Sequence, residues 1–197
     1  GDIRLSGEHL LSIIQDILDL ARVESGKLAF EQDYIDLHRI AEECCTMLRP
    51  TADRAEVRLV NAIPTEAPVL LADERRIRQI LINLIGNAIK FSPRGKDVTV
   101  GLEDVADGLA LMVADQGIGM TKEETELAFE PFVQLKMGMV RKHEGAGLGL
   151  ALVRRFAEAF GATAMIDSAP GVGTTVRIRF PHDRVQPDGG GASRLAP

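Results

Sequence analysis

Hydrophobic and polar residues follow a helical period from Asp73 to Ser92. Apolar residues recur there every three or four positions and predict an amphipathic helix with one apolar face: Ile77, Ile80, Leu81, Leu84, Ile85, Ala88 and Ile89. Asn83 and Asn87 are four residues apart, so their side chains lie one turn above the other, and Lys90 follows on the same edge. Two carboxamides and a cation beside an apolar face indicate either a helix edge that neighbouring loops cap or a helix edge that binds a ligand.

A second amphipathic helix, of about six turns, is predicted from Ile3 to Glu24. Gly26 follows its last turn, where glycine commonly ends a helix. Its apolar positions are Leu10, Ile13, Ile14, Ile17, Leu18 and Ala21. A stripe of this length needs a partner, and no neighbouring segment of comparable length supplies one. The pattern therefore implies a second helix or a second chain.

The remaining pattern predicts an α/β fold, with a mixed sheet of about five strands faced on one side by helices. Besides 73–92, helices are predicted at 36–54, where Asp36 is the N-cap, and at 149–160. The first of these places Leu37, Ile40, Ala41, Cys44, Met47 and Leu48 inward. Strands are predicted at 28–35, 57–62, 69–71, 98–105, 109–114, 163–167 and 174–180. A long glycine-rich, basic loop is predicted at 129–149, and a disordered tail at 183–197.

Composition narrows the class of protein. The 197 residues are 45% hydrophobic and 26% charged, which is typical of a globular protein. A formal net charge of −6 argues against a nucleic-acid surface. The adjacent cysteines, Cys44 and Cys45, are poorly placed to bridge one another and favour a reducing, cytosolic setting. No apolar run of membrane-spanning length and no signal peptide occur, so no direct membrane contact is expected of this segment. Because the sequence begins with Gly1 rather than Met, we expect a part of a larger protein, which is compatible with a membrane anchor elsewhere.

Two glycine-containing blocks follow predicted strands. Asp115-x-Gly117-x-Gly119 ends the second strand of a hairpin, where a carboxylate can accept a hydrogen bond from an exocyclic amine and the glycines allow close approach of a flat ligand. Taken alone, it fits an ordinary strand-to-loop turn equally well. Gly171-x-Gly173-Thr174 lies between the last two strands, and by itself it is typical of a hairpin turn.

A third block leads into a helix. Gly145-x-Gly147-Leu148-Gly149 would expose backbone N–H groups at the helix N-terminus, where the helix dipole favours phosphate. Its spacing differs from that of a P-loop and from that of a dinucleotide-binding fingerprint. Before it, Phe129-Glu130-Pro131-Phe132 places two aromatic residues on a proline-stiffened turn, a pattern typical of packing anchors.

In order and spacing, these blocks resemble the ATP-binding catalytic domain of sensor histidine kinases, in the superfamily that also contains the DNA gyrase B subunit, the MutL proteins and a heat-shock chaperone. Asn83-x-x-x-Asn87-Ala88-x-Lys90-Phe91 is similar to the N box of that family, and 129–132 to its F box. The three glycine blocks are similar to its three glycine boxes, in the same order. Residues 3–27 resemble the second helix of the dimerisation and histidine-phosphotransfer hairpin.

The resemblance implies a two-layer α/β sandwich of the Bergerat type, preceded by one dimerisation helix, with ATP and Mg²⁺ as cofactors. Asn87, helped by Asn83, would coordinate Mg²⁺, and Lys90 would neutralise phosphate charge. Asp115 would bind the adenine amino group. The family match adds Phe91, Gly117, Gly119, Gly145, Gly147, Leu148, Gly149 and Thr174 as nucleotide-binding positions. Within the loop, Arg141, Lys142 and His143 are either γ-phosphate contacts or solvated residues.

The residue type at position 83 distinguishes the hydrolytic members of the superfamily from the kinases. By the resemblance, hydrolytic members carry a glutamate there that activates water, whereas a carboxamide cannot take a proton. Asn83 therefore favours transfer of the γ-phosphoryl group to another nucleophile. The alternative is a nucleotide-binding switch that transfers nothing.

None of the four histidines fits the acceptor of such a kinase: His9, His38, His143 and His182. We therefore expect the acceptor on a hairpin helix outside this chain. The predicted organisation is a hairpin helix at 1–27, an ATP-binding domain at 28–182 and a tail at 183–197. Expected partners are a second copy, forming a homodimer through the hairpin, and a response-regulator receiver domain, in the cytoplasm.

Overall fold

The computed structural model describes residues 2–26, 29–134 and 146–186. Its helices are α1 (Asp2–Glu24), α2 (Leu37–Ala55), α3 (Glu74–Phe91), α4 (Lys122–Leu127) and α5 (Gly149–Ala159). Its strands are β1 (Asp33–Ile35), β2 (Arg58–Asn61), β3 (Val69–Ala72), β4 (Asp97–Val105), β5 (Gly108–Asp115), β6 (Thr163–Ala169), β7 (Gly173–Pro181) and β8 (Val185–Gln186). Among these residues, no helix is long and apolar enough to cross a membrane.

The main sheet has five strands in the order β2-β4-β5-β7-β6. Strand β2 is parallel to β4, and every other neighbouring pair is antiparallel, so the sheet is mixed as predicted. The inward positions of β4, β5 and β7 alternate along each strand and join the apolar faces of α2, α3 and α5 in one core. The register places Asp115 beside Val98 on one side and Thr174 on the other. The end of β5 is therefore central to the sheet.

Helix α3 is stabilised by an N-cap at Asp73 and by an apolar face that packs in the core. The Asp73 side chain accepts hydrogen bonds from the backbone N–H groups of Arg75, at 2.9 Å, and Arg76, at 3.3 Å. Its second carboxylate oxygen accepts from Glu31 N–H at 3.0 Å, which explains how an aspartate is only 3% exposed. All seven predicted apolar positions of this helix are buried, so the periodicity predicted both the helix and its orientation.

Helix α2 begins after Asp36, as predicted, but one of its predicted core positions is wrong. Met47 is 57% exposed, whereas Leu37, Ile40, Ala41 and Cys44 are buried and Leu48 is partly buried. Cys45 and Ala52, which were not predicted to face inward, are 2% and 1% exposed, so the buried face of α2 is shifted around the helix away from Met47. Met47 lies at the border of the stripe, where its unbranched side chain extends into solvent.

A second, three-stranded sheet in the order β1-β3-β8 was not predicted. The prediction of a disordered tail from Asp183 is wrong for its first residues, because 182–184 form a 3-10 turn and Val185 pairs with Leu70 of β3. Arg184 also donates to the backbone carbonyl of Leu71 at 3.2 Å. Residues 187–197 lie outside the described residues. The strand predicted at 28–35 is shorter than expected, since only Asp33–Ile35 pairs with β3.

Helix α1 packs on the domain through its C-terminal half. Leu20 is 8% exposed, and Asp19 accepts a hydrogen bond from Arg76 Nη1 of α3 at 2.8 Å. Gly26 ends the helix with a φ of 65°, as its position predicted. The opposite stripe remains exposed on Leu10, Leu11, Ile14, Ile17 and Leu18.

Candidate functional site

The candidate site begins on α3, where Asn83 faces the start of α5. A Cβ placed on Gly149 would lie 3.5 Å from Cγ of Asn83, an ordinary contact distance. The Nδ2 atom of Asn83 is buried, and no hydrogen-bond acceptor for it occurs among the described residues. A buried donor without a partner costs about 1–3 kcal/mol. The amide is therefore not explained by the fold alone, and it marks the point where the N box and the second glycine box meet.

The N-terminus of α5 has no side-chain cap. Leu148 precedes the helix and makes no side-chain capping hydrogen bond, so the first N–H groups of α5 lack the partner that a capping residue supplies. The Leu148 side chain is 1% exposed and packs in the core, which leaves only its backbone for the contact predicted from sequence. A helix N-terminus without a side-chain cap, together with the positive end of the helix dipole, favours an anion here.

The second glycine box is attached to the F box. Phe132 N–H donates to Gly147 O at 3.0 Å, and a Cβ on Gly147 would lie 2.8 Å from Val133 O. Gly147 also has a φ of 70°, so both space and backbone conformation require glycine. The backbone makes this contact between the two boxes, and the Phe132 ring is 63% exposed, so the ring is not the packing anchor predicted from sequence. Gly145, Arg141, Lys142 and His143 lie outside the described residues.

Lys90 and Phe91 end α3 on the same side of the site. The Lys90 Nζ atom lies 5.2 Å from the centroid of the Phe91 ring. Partial burial lowers the pKa of Lys90 below its ordinary value, because desolvation disfavours the charged form. An anion bound near Nζ would offset this cost.

Asp115 links the first and third glycine boxes. Its Oδ1 atom accepts hydrogen bonds from Gly117 N–H at 2.7 Å and Thr174 N–H at 3.2 Å. Burial raises the pKa of this carboxyl, and the two hydrogen bonds oppose that effect in part. The second oxygen has no donor among the described residues. Asp115 is therefore a fixed carboxylate with one acceptor oxygen left for a ligand.

The glycines of the first box permit close packing between the boxes. A Cβ on Gly117 would lie 2.6 Å from both Asp115 Oδ1 and Phe91 O, and a Cβ on Gly119 would collide with the carbonyl oxygen of Ala169. Ile118 N–H also donates to Phe91 O at 3.3 Å. These contacts bring the end of the N-box helix, the first glycine box and the third glycine box to one place. The two glycines are needed at these points for packing.

Ser168, at the end of β6, was missed by the sequence reasoning. Its Oγ atom accepts a hydrogen bond from Met120 N–H at 2.8 Å and lies 2.9 Å from both Gly173 O and Thr174 Oγ1. A single serine in an alternating strand gives no signal of such a role. Helix α4 was missed as well, although Thr121 and Glu124 form a capping box that the pattern Thr-x-x-Glu indicates.

The predicted metal ligands are the carboxamides of Asn83 and Asn87, one turn apart on α3. Within the parts of the chain that the structure describes, no group of three or more His, Cys, Asp or Glu side chains lies together. Carboxamide oxygens are hard ligands of the kind that Mg²⁺ accepts, usually together with phosphate oxygens and water. The donor set therefore fits a Mg²⁺ ion that is held in part by a bound nucleotide.

Comparisons with known proteins agree with this geometry. Residues 72–184 match the family model described as "Histidine kinase-, DNA gyrase B-, and HSP90-like ATPase". The cell-division control histidine kinase PdhS of Brucella ovis is 37% identical over 196 residues, which cover 95% of this chain and 19% of that protein. The chain thus spans about a fifth of the length of that curated relative.

Two solved structures share the fold over most of the chain. The full-length structure of ShkA in complex with AMPPNP has a TM-score of 0.81 and 30% identity, covering 94% of this chain and 38% of that one. The histidine kinase AdeS of Acinetobacter baumannii has a TM-score of 0.75 and 25% identity, covering 91% and 82% respectively. With the boxes assembled around Asn83 and Asp115, the chain belongs to the histidine kinase-, DNA gyrase B- and HSP90-like ATPase family, and its relatives are histidine kinases.

Proposed function

We propose that this chain is the ATP-binding catalytic region of a sensor histidine kinase, which transfers the γ-phosphoryl group of ATP to a histidine on a hairpin helix outside this chain. The observation that carries the proposal is Asn83, a buried amide without a hydrogen-bond partner among the described residues, beside the uncapped start of α5. The homology to named histidine kinases supports the same activity, and ShkA was solved with an ATP analogue.

The two ends of the site suit the two ends of ATP. The free oxygen of Asp115 would accept the adenine amino group, a charge-assisted hydrogen bond that guanine, with an oxygen at that position, cannot make. At the other end, the N-terminus of α5 and Lys90 would contact phosphate oxygens. Thr174 orients Asp115 through its backbone N–H. Gly117, Gly119, Gly147 and Gly149 shape the backbone between these points.

The Mg²⁺ ion is assigned to Asn87 and Asn83 together with the ATP phosphates. When bound, the ion would neutralise phosphate charge and fix the orientation of the γ-phosphoryl group. The chain's own contribution is to position the phosphates with the α5 N-terminus and Lys90. Neither asparagine can remove a proton from water, so the site as built disfavours hydrolysis. Positioning and charge neutralisation are the principal sources of catalysis in phosphoryl transfer.

The exposed stripe of α1 supports a hairpin partner. Leu10, Leu11 and Ile14 are each at least 45% exposed on one side of a helix whose other side packs on the domain. We assign this stripe to a four-helix dimerisation bundle with a first hairpin helix and a second copy. The phosphorylated histidine would pass its phosphoryl group to a response-regulator receiver domain. The buried free thiols of Cys44 and Cys45 fit a reducing compartment, and we place the domain in the cytoplasm.

Transfer of radiolabelled phosphate from ATP tests the proposal. The acceptor is a longer protein in which this chain is preceded by its own upstream hairpin helix. We expect acid-labile, base-stable label on that helix in the presence of Mg²⁺, and none in the Asn87→Ala variant. The control is Asp104→Asn, which changes an exposed carboxylate on β4. Tight ATP binding without any transfer would refute the kinase activity and leave a nucleotide-binding switch.

A further inference from the structure

We infer that Ser168 is a positioning residue for adenine recognition, an inference that rests on the proposed ATP site. Ser168 does not itself offer an atom to the nucleotide in this arrangement. Its hydroxyl joins the loop of the first glycine box to the turn of the third glycine box, and these two segments hold the Asp115 carboxylate.

The hydrogen-bond inventory of the hydroxyl matches its surroundings. A serine hydroxyl has one donor and two acceptor sites. Ser168 Oγ can donate to Gly173 O at 2.9 Å and accept from both Met120 N–H at 2.8 Å and Thr174 Oγ1–H at 2.9 Å. All three contacts can therefore exist together, which uses the full capacity of the group. Its replacement by alanine would leave a buried N–H, a carbonyl and a hydroxyl without this partner.

The three partners lie in or next to the residues that we assign to the proposed nucleotide site. Met120 follows Gly119 of the first box and is only 6% exposed, so its N–H has little access to water as a substitute. Gly173 precedes Thr174, whose N–H holds Asp115 Oδ1. A second hydrogen bond between the same segments runs from Gly171 N–H to Ile118 O at 2.7 Å.

Loss of the Ser168 contacts would loosen the connection between the loop of the first glycine box and the turn of the third glycine box. The Asp115 carboxylate would then adopt several orientations, and only a fraction of molecules would present its free oxygen to adenine. Apparent affinity falls in proportion to that fraction. The discrimination between adenine and guanine would fall as well, because it depends on a carboxylate fixed opposite position 6 of the purine.

The test measures the binding of ATP and GTP to the full chain by calorimetry, well below the unfolding temperature. Ser168→Ala is expected to weaken ATP binding by about fivefold to thirtyfold, as expected for one or two lost hydrogen bonds, and to reduce the ATP-to-GTP preference. Ser168→Thr retains the hydroxyl, and threonine is favoured in strands, so this variant is expected to keep the ATP affinity and the ATP-to-GTP preference of the parent protein. Thr163→Ala removes a hydroxyl from an exposed position of the same strand and should change neither.

Two results would overturn the inference while the ATP site stands. In the first, the ATP affinity and the ATP-to-GTP preference of Ser168→Ala both stay within twofold of the parent protein, whereas Asp115→Asn loses its ATP affinity and its preference. The other is a lower melting temperature with unchanged base preference, which would make Ser168 only structural. If the parent protein binds no ATP, or if Asp115→Asn binds it normally, the proposed site itself fails and the inference fails with it.

Discussion

Asp115 and Thr174 lie opposite one another on adjacent strands, and the Thr174 N–H donates to Asp115 Oδ1 at 3.2 Å. The same oxygen also accepts from Gly117 N–H, so both protein hydrogen bonds converge on one atom of the carboxylate. The other oxygen is left for a ligand. This asymmetry explains how a carboxylate that is partly buried and has a raised pKa keeps one defined acceptor direction.

Replacement of Asp115 by asparagine should abolish the adenine contact. The amide is nearly the same size, but it loses the charge and presents either a donor or a neutral acceptor to the adenine amino group. We expect ATP affinity to fall by about tenfold to a hundredfold, as for a charge-assisted hydrogen bond lost in a partly buried site. Calorimetric titration measures this. Asp104→Asn, on an exposed part of β4, is the matched control and should bind like the parent protein.

The raised pKa of Asp115 predicts an early loss of ATP binding in acid. Burial raises the pKa above the ordinary value of 3.8, so the carboxyl becomes protonated at a pH where an exposed aspartate is still charged. The folded state binds this proton more readily than the unfolded state. The contribution of Asp115 to stability is therefore present below pH 3.8 and lost as the pH rises through the folded-state pKa. Affinity, not folding, is thus the quantity that acid should lower through this group.

Binding titrations at successive pH values check this prediction. The affinity of the parent protein should fall at a higher pH than an aspartate of ordinary pKa would give. Asp115→Asn should lack that step, while Asp104→Asn should keep it. Because the ionisation of ATP itself contributes equally to all three profiles, only the difference between them is interpreted. Superimposable profiles for the parent and Asp115→Asn would contradict the role of Asp115.

The unpaired amide of Asn83 predicts that function and stability respond differently to its removal. Asn83→Ala eliminates a buried Nδ2 that has no acceptor among the described residues, so a penalty of about 1 kcal/mol disappears while some packing against Gly149 is lost. We expect the melting temperature to change by less than about 3 °C. Mg²⁺-dependent ATP affinity should fall by about tenfold or more. A large fall in melting temperature would instead show that the amide is structural.

Sequence patterns were sufficient where several local signals agreed. For α3, seven apolar residues at helical spacing predicted both the helix and the face that points inward. Contacts between the boxes could not be predicted in this way. The packing of Gly117 against Phe91 O, for instance, depends on how β5 is aligned with the end of α3.

Other features had no sufficient local signal. Strand β8 is only two residues long, and its formation depends on β3, more than a hundred residues earlier in the chain. Ser168 is one polar residue in an alternating strand, so nothing local distinguishes it from its neighbours. Met47 follows the apolar period of α2 but lies at its margin, and periodicity does not show where the neighbouring helix ends. Each of these features depends on contacts between distant segments.

Two glycines with nearly equal backbone angles provide a matched test of packing in the first glycine box. Gly119 has a φ of 66° and Gly161 a φ of 68°, so alanine would be strained at both. A Cβ on Gly161 meets nothing within 4 Å, whereas a Cβ on Gly119 collides with the carbonyl oxygen of Ala169. We expect Gly161→Ala to cost about 1 kcal/mol and Gly119→Ala about 3 kcal/mol or more. Denaturant unfolding measures both, and equal losses would contradict the packing assigned to Gly119.

The contact between α1 and the domain depends on Asp19 and Arg76, which are 16% and 19% exposed and 2.8 Å apart. Gln79 also donates to the same carboxylate, at 3.2 Å, and the Arg76 guanidinium lies 5.0 Å from the Phe156 ring centroid. Asp19→Ala would leave both donors without this acceptor in a partly buried contact. We expect a loss of about 1–3 kcal/mol, concentrated in the attachment of α1.

Hydrogen exchange resolved along the chain separates this local effect from a global one. Amides of α1 should exchange faster in Asp19→Ala, while those of the five-stranded sheet stay protected, because their hydrogen bonds do not involve α1. The control removes a solvent-exposed ion pair: Arg75 and Glu31 are 2.7 Å apart but 72% and 83% exposed, so Glu31→Ala should cost less than about 0.5 kcal/mol. If both variants behave alike, burial of the Asp19–Arg76 pair does not hold α1 on the domain, and the apolar contacts of Leu20, Ile13 and Val23 with the core remain as its attachment.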